Sequence, residues 1–182
     1  MNHWHITEKD CGTGTLRLVR GDIARTPADA VVNAANSALS PGSGVCGAIH
    51  HAGGPAIAAA CREIGGCATG DAVATTAGDL PARHVIHAVA PIWQGGNAGE
   101  LNLLATAYRR SLEVAEQLED STVAFPSLGT GVYGNPVVRA APVALSAVCK
   151  FVQHSLVVRH VTFVLFSDAD LHVYGRALSE LA

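Results

Sequence analysis

Two stretches of the chain carry the residues with chemistry to offer, and both are almost free of formal charge. The first, "VVNAANSALSPGSGVCGAIHHAGG" over 31–54, contains no Asp, Glu, Lys or Arg. An apolar run gives way to Asn33 and Asn36, and a glycine-rich loop follows at 42–47 with Gly44, Val45, Cys46 and Gly47. The second, "SLGTGVYGNP", carries Ser127, Gly129, Thr130, Gly131, Val132 and Tyr133. Glycines let the backbone approach a ligand closely, and the N–H groups that follow them point at anions. Amides supply donors and acceptors without charge, which suits ribose-like hydroxyls. One such loop also serves as an ordinary turn. Two in corresponding places suggest a pair of jaws on one diphosphate.

The better-known glycine signatures are absent. No G-K-[ST] follows either loop, and neither is a G-x-G-x-x-G opening a first βαβ unit, which disfavours a standard NTPase or dehydrogenase. The five cysteines, Cys11, Cys46, Cys61, Cys67 and Cys149, are an odd and scattered set. They contain no C-x-x-C pair, and although Cys61 and Cys67 are near in sequence, no His clusters with them at a familiar zinc spacing. The expectation is small buried hydrophobes in a reducing cytoplasm, with no disulfide framework, no metal site and no cofactor. His50 and His51 are read as packing or helix-end residues of the alanine-rich helix that follows the first loop.

The elements that must position these loops alternate along the chain. Strands are expected at 15–23, 28–35, 71–78, 83–90, 121–126 and 160–167, from apolar alternation or short β-branched runs closed by Gly and Pro. Leu101, Leu104, Tyr108, Leu112, Ala115 and Leu118 recur at steps of three and four, which predicts an amphipathic helix over 98–118. Asn135 and Pro136 suit the N-cap and first turn of a helix continued by Val138, Ala141, Leu145, Val148 and Val152. A closing helix is read in "DADLHVYGRALSEL". Alternation of this kind predicts an α/β fold with a largely parallel sheet between helical layers.

At 182 residues, 49% hydrophobic and 15% charged, the chain reads as one domain over 1–182, with room at 1–13 for a flexible N-terminal extension. A net charge of −3 without a long basic run argues against general nucleic-acid binding. No apolar run approaches the roughly 18 residues of a membrane span. The opening "MNHWHITEKDCGT" lacks a basic region followed by an apolar one, so a cytoplasmic location is expected.

Taken in order, "GDI", "VVNAAN", "GSGVCGAIH", "TGDAVATTAGDLPARHVIHAVAP" and "FPSLGTGVYGNP" resemble the macrodomain family, most closely its MacroD-type branch. The match spans roughly 15–170. The resemblance implies a three-layer α/β/α sandwich around a mixed, mainly parallel sheet of about six strands. It also implies binding of ADP-ribose and removal of mono-ADP-ribose from acidic side chains of modified proteins. Asp22 then matches the carboxylate that accepts a hydrogen bond from the adenine amino group, and Ile23 lines that pocket. Phe166 matches an aromatic that stacks on adenine, with a core phenylalanine as the competing reading. Asn36 contacts the distal ribose, and Asn33 belongs to the same set but more often holds the loop together. Gly44, Val45, Cys46 and Gly47 form the first phosphate loop. Ser127, Gly129, Thr130, Gly131 and Val132 form the second, with Tyr133 against the distal ribose.

One position departs from the branch. The first loop there usually reads "GVDGAIH", and its Asp is a leading candidate for handling the attacking water; here the residue is Cys46. A thiol with an unperturbed pKa of about 8.5 is a poor substitute for a carboxylate near pH 7. A substrate-assisted route remains, in which a phosphate oxygen of the ligand orients the water while Asn36 and Tyr133 fix the ribose. Two alternatives stand beside it: a reader that binds ADP-ribose without turnover, and an esterase acting on O-acetyl-ADP-ribose.

Overall fold

Apolar residues alternate along the strands, and the alternation sorts them onto two faces of one sheet. The computed structural model describes residues 7–182. Its strands are β1 (Glu8–Cys11), β2 (Gly14–Arg20), β3 (Ala30–Ala34), β4 (Ala72–Thr76), β5 (His84–Ala88), β6 (Thr122–Phe125) and β7 (His160–Leu165). They lie in the order β1-β2-β7-β6-β3-β5-β4. The inner five are parallel, while β1 and β4 run antiparallel to their neighbours.

Val32, Ile86, Phe125 and Phe163 point to one face, where they pack under α3 (Glu100–Gln117), α4 (Val137–His154) and α5 (Asp168–Glu180). Val31, Val85, Ala124 and Val164 point to the other, against α1 (Gly44–Gly53) and α2 (Pro55–Ile64) through Ile49 and Ile57. The result is the expected three-layer α/β/α sandwich. Among the described residues no helix is long and apolar enough to cross a membrane.

Three features differ from the sequence reading. The sheet has seven strands, because the charged "EKDC" of β1 pairs with β2 from Glu8 opposite Arg17 to Cys11 opposite Gly14. Residues 8–11 of the stretch considered for a flexible extension are thus part of the sheet, while residues 1–6 lie outside the described ones. Cys11 is also bonded to Cys149 of α4 as a disulfide, which the scattered cysteine spacing did not suggest. Finally, the alanine-rich helix is two helices. α1 already begins at Gly44, so His50 and His51 stand in its last turn, and Gly54 at φ 79° breaks the chain before Pro55 opens α2.

This topology decides where a ligand can sit. β3 and β6 are neighbours, but α1 and α2 follow β3 onto one face and α4 follows β6 onto the other. A crevice opens between the carboxyl ends of strands that diverge in this way. Both glycine-rich loops begin there.

Candidate active site

A cleft of about 340 Å³ occupies that switch point. Asn36, Val45 and Cys46 line it from the first loop and Ser127, Gly129, Gly131, Val132 and Tyr133 from the second, with Ala90 close beside Gly129. No Asp, Glu, His, Lys or Arg lines it, so any anion held here depends on backbone N–H groups and on hydroxyls and amides.

The first jaw is the start of α1. Ser43 takes the N-cap position without a side-chain bond, so the first-turn N–H groups of Gly44, Val45 and Cys46 have no helical acceptor and carry the positive end of the helix dipole. Gly47 keeps the loop tight: a Cβ there would lie 2.7 Å from the Gly42 carbonyl oxygen, and its own N–H donates to Ser43 O at 3.2 Å. Any side chain at this position would push the jaw open.

The second jaw is fastened by residues the sequence reading did not assign to it. Tyr108 of α3 accepts the Leu128 N–H at 2.9 Å, and Tyr174 of α5 donates to the Ser127 hydroxyl at 2.8 Å. Burial pushes the Tyr174 phenol up to about 12 and raises that of Tyr108, so both stay neutral. Thr130 also donates to Ser127 Oγ, at 2.9 Å, which turns its side chain along the loop. Asn135, expected as a helix cap, instead donates its amide to Gly129 O and Pro91 O at 2.8 and 2.9 Å. Pro136 takes the N-cap position of α4. Gly129 is at φ 74°, where a Cβ would meet that same Asn135 amide at 2.8 Å. The Trp93 N–H donates to Tyr133 O at 2.8 Å and ties the loop after β5 to the same jaw.

Asn36 lines the cleft while its amide also organises the turn beyond it, accepting the Ser40 N–H at 3.1 Å and donating to Ser40 O at 2.9 Å. Asn33 does not line the cleft. It is fully buried beneath the floor, its amide 3.0 Å from His87 Nδ1 and 3.6 Å from Cys46 Sγ. His87 is pushed down to about 4 by burial and then by His50 nearby, so it is neutral near pH 7. Burial and the neighbouring Cys46 hold the Cys61 thiol above its ordinary value. Cys46 is 6% exposed in the first turn of α1.

Asp22 and Phe166 emerge from β2 and β7, which are adjacent, so both reach the same edge of the sheet as the cleft. Asp22 accepts the Ala24 N–H at 3.0 Å and caps a single 3-10 turn, Ile23–Arg25, while Ile23 is buried in the core under α1. Phe166 is 84% exposed, which rules out the core reading. Three further side chains meet that the sequence keeps apart: His50, Cys61 and His87 bring donor atoms within 4.8 Å of one another, although no cysteine–histidine cluster shows in the linear spacing.

The Macro domain family model matches residues 32–144, more than half of the chain, from inside β3 through the second jaw. The chain belongs to the macrodomain family. A macro domain-containing protein of Caldanaerobacter subterraneus is 54% identical over 170 residues, covering 91% of this macrodomain and 97% of that protein. An Escherichia coli O-acetyl-ADP-ribose deacetylase is 43% identical over 169 residues, covering 91% and 96%. An Oceanobacillus iheyensis macrodomain solved with ADP superposes with a TM-score of 0.91 at 39% identity, covering 95% of this macrodomain and 94% of that chain. A Trypanosoma brucei macrodomain solved with ADP-ribose gives 0.84 at 33% identity, covering 90% and 68%. These likenesses agree with the family read from the motifs.

Proposed function

We propose that this macrodomain binds ADP-ribose in the cleft between its two loops and hydrolyses an ester at the distal ribose, releasing mono-ADP-ribose from acidic side chains of modified proteins. The observation that carries the reading is the uncharged cleft at the strand switch point, walled by the start of α1 and a glycine-rich loop. A diphosphate fits a site built from helix-terminal N–H groups. The adenine end lies toward Asp22 and Phe166, and the distal ribose toward Asn36 and Tyr133. Protein partners are ADP-ribosylated chains. The structure of the Trypanosoma brucei relative with ADP-ribose supports the choice of ligand.

The chemistry rests on position. Asn36 and Tyr133 hold the distal ribose, a phosphate oxygen of the ligand orients a water toward the anomeric carbon, and the carboxylate of the modified side chain leaves. Cys46 contributes its backbone, and the reaction uses no metal. Orientation of this kind can supply roughly 7–11 kcal/mol of barrier reduction in well-aligned intramolecular cases.

The Escherichia coli relative's name favours a second reading, an O-acetyl-ADP-ribose deacetylase. In that case the water meets the acetyl carbonyl instead of the anomeric carbon, in the same cleft. Calorimetry tests the binding: saturable one-to-one heat is expected near micromolar, about −8 kcal/mol. Asp22→Ala should weaken it by about 1.5–3 kcal/mol, the worth of a hydrogen bond to a charged acceptor. Single-turnover release from a glutamate-linked protein and from O-acetyl-ADP-ribose, with and without a strong chelator, separates the two reactions. Tight binding with neither turnover would make the protein a reader, and no heat at millimolar ligand would end the reading.

A further inference from the structure

Beneath the floor of the cleft, and outside the residues that line it, three separate elements each contribute one metal-type donor. His50 comes from the last turn of α1, Cys61 from α2 and His87 from β5. Their donor atoms lie within 4.8 Å of one another, and Cys61 Sγ is 3.6 Å from His87 Nε2. Cys61 and His87 are closed to solvent, and the His50 and His87 rings are 6.2 Å apart. Two polar atoms here have no partner among the described residues: His50 Nδ1 and the carbonyl oxygen of Asn33, itself fully buried. Native interiors leave few such atoms, and each calls for a reason.

We propose that His50, Cys61 and His87 form a binding site for one thiophilic divalent cation of the zinc class. One thiolate and two imidazoles suit zinc and its soft neighbours and disfavour magnesium or calcium, which take oxygen. Zinc bonds of about 2.0–2.3 Å place tetrahedral donors roughly 3.3–3.8 Å apart, so the cluster needs to contract by about 1 Å at its widest. Three protein ligands leave the fourth position to water. On binding, the Cys61 thiol releases its proton to solvent, and the one proton of neutral His87 resides on Nδ1, freeing Nε2 for the metal. Turning the Asn33 amide brings its unpartnered carbonyl oxygen to Nδ1–H, 3.0 Å away, the kind of support that orients a ligating imidazole. Thr75, now 2.8 Å from Nε2, keeps its bond to Thr76 O when the metal takes that place. None of the three residues takes part in the proposed hydrolysis, so the cation and ADP-ribose bind together.

The test is titration of the whole chain with Co²⁺, thiol reagents removed. It should saturate at one equivalent with a thiolate-to-cobalt charge-transfer band, and Zn²⁺ should displace it. Cys61→Ser should abolish the band and Cys67→Ala should keep it. Zinc at a hundredfold excess over its Kd should raise the thermal midpoint by about 5 °C or more. X-ray absorption at the zinc edge of the unaltered protein should show one sulfur and two imidazole nitrogens, which keeps the proposal open to refutation even if Cys61→Ser fails to fold. A missing band at excess cobalt, a band that survives Cys61→Ser, or an oxygen-only shell overturns the site.

Discussion

At the scale of single residues, the cleft separates side chains that position from side chains that merely occupy. Asn36 has both ends of its amide committed to Ser40, so it cannot swing freely, and a ribose hydroxyl meeting it meets a fixed partner. Asn36→Ala should therefore cut single-turnover release from a glutamate-linked substrate about 100-fold, since small misplacements are that costly in a positioning mechanism. Cys46 is different. Its thiol touches the Asn33 amide at 3.6 Å and Ser40 O at 3.8 Å, while its backbone belongs to the start of α1. Cys46→Ala should keep most activity. Cys46→Asp restores the residue usual in the branch, at a helix N-terminus that favours a carboxylate, and should speed hydrolysis. A Cys46→Ala protein that folds, binds ligand and yet releases nothing would show that the thiol is catalytic and that the substrate-assisted route is wrong.

At the scale of elements, the second jaw depends on a residue outside it. Glu100 opens α3, is 2% exposed, and accepts the N–H groups of Gln94, Gly96 and Ala98 at 2.8, 3.1 and 2.8 Å. It thereby shapes the loop that presents Trp93 to Tyr133 O. Its carboxyl is held down at about 2 by its own backbone N–H and by those three, against the upward push of burial. In the unfolded chain it titrates near 4.5. The folded value is the lower one, so its stabilisation is complete above about pH 4.5 and disappears as pH falls toward 2. Thermal midpoints measured between pH 6 and 3 should fall steeply below 4.5 in the parent and more gently in Glu100→Gln. Equal slopes would show that the carboxylate is not what holds the loop.

The elements also show what a sequence can reveal. β3, β5 and β6 were legible because each is a short apolar run punctuated by Pro or Asn, and β7 because "VTFVLF" is almost wholly apolar and β-branched or aromatic. β1 was not, because "EKDC" carries no apolar alternation and forms only by pairing with β2. Both jaws were visible as glycine loops, but their fastenings were not. Tyr108 and Tyr174 look like core aromatics on helices, and only the packing of α3 and α5 shows that their hydroxyls hold the loop. Asn135 read as a helix cap because Asn before Pro fits that role equally well. The His50, Cys61 and His87 group was hidden for the same reason: only the packing of α1 and α2 on one face of β5 makes it a cluster.

At the scale of the whole molecule, the two ends of the sheet are held differently. The cleft sits between β3 and β6, with β7 and β2 separating it from β1 at the edge. That edge strand is short and charged, and pairing on one side alone would leave it prone to fraying. The Cys11–Cys149 disulfide ties it to α4 across 138 residues of chain, and both sulfurs are buried. A long closed loop removes much entropy from the unfolded state, so loss of the bond costs about 2–5 kcal/mol in the usual range. For a domain of this size that is a midpoint lower by about 5–15 °C. Cys11→Ala with Cys149→Ala should show this drop by calorimetry, and hydrogen exchange should quicken first at β1. The affinity for ADP-ribose at 25 °C should change less than twofold, because neither jaw touches the bridge. An unchanged midpoint would mean that the bond constrains nothing. A large loss of affinity would mean that α4 carries strain from the disulfide to the jaw that precedes it, and that the edge and the cleft are one mechanical unit.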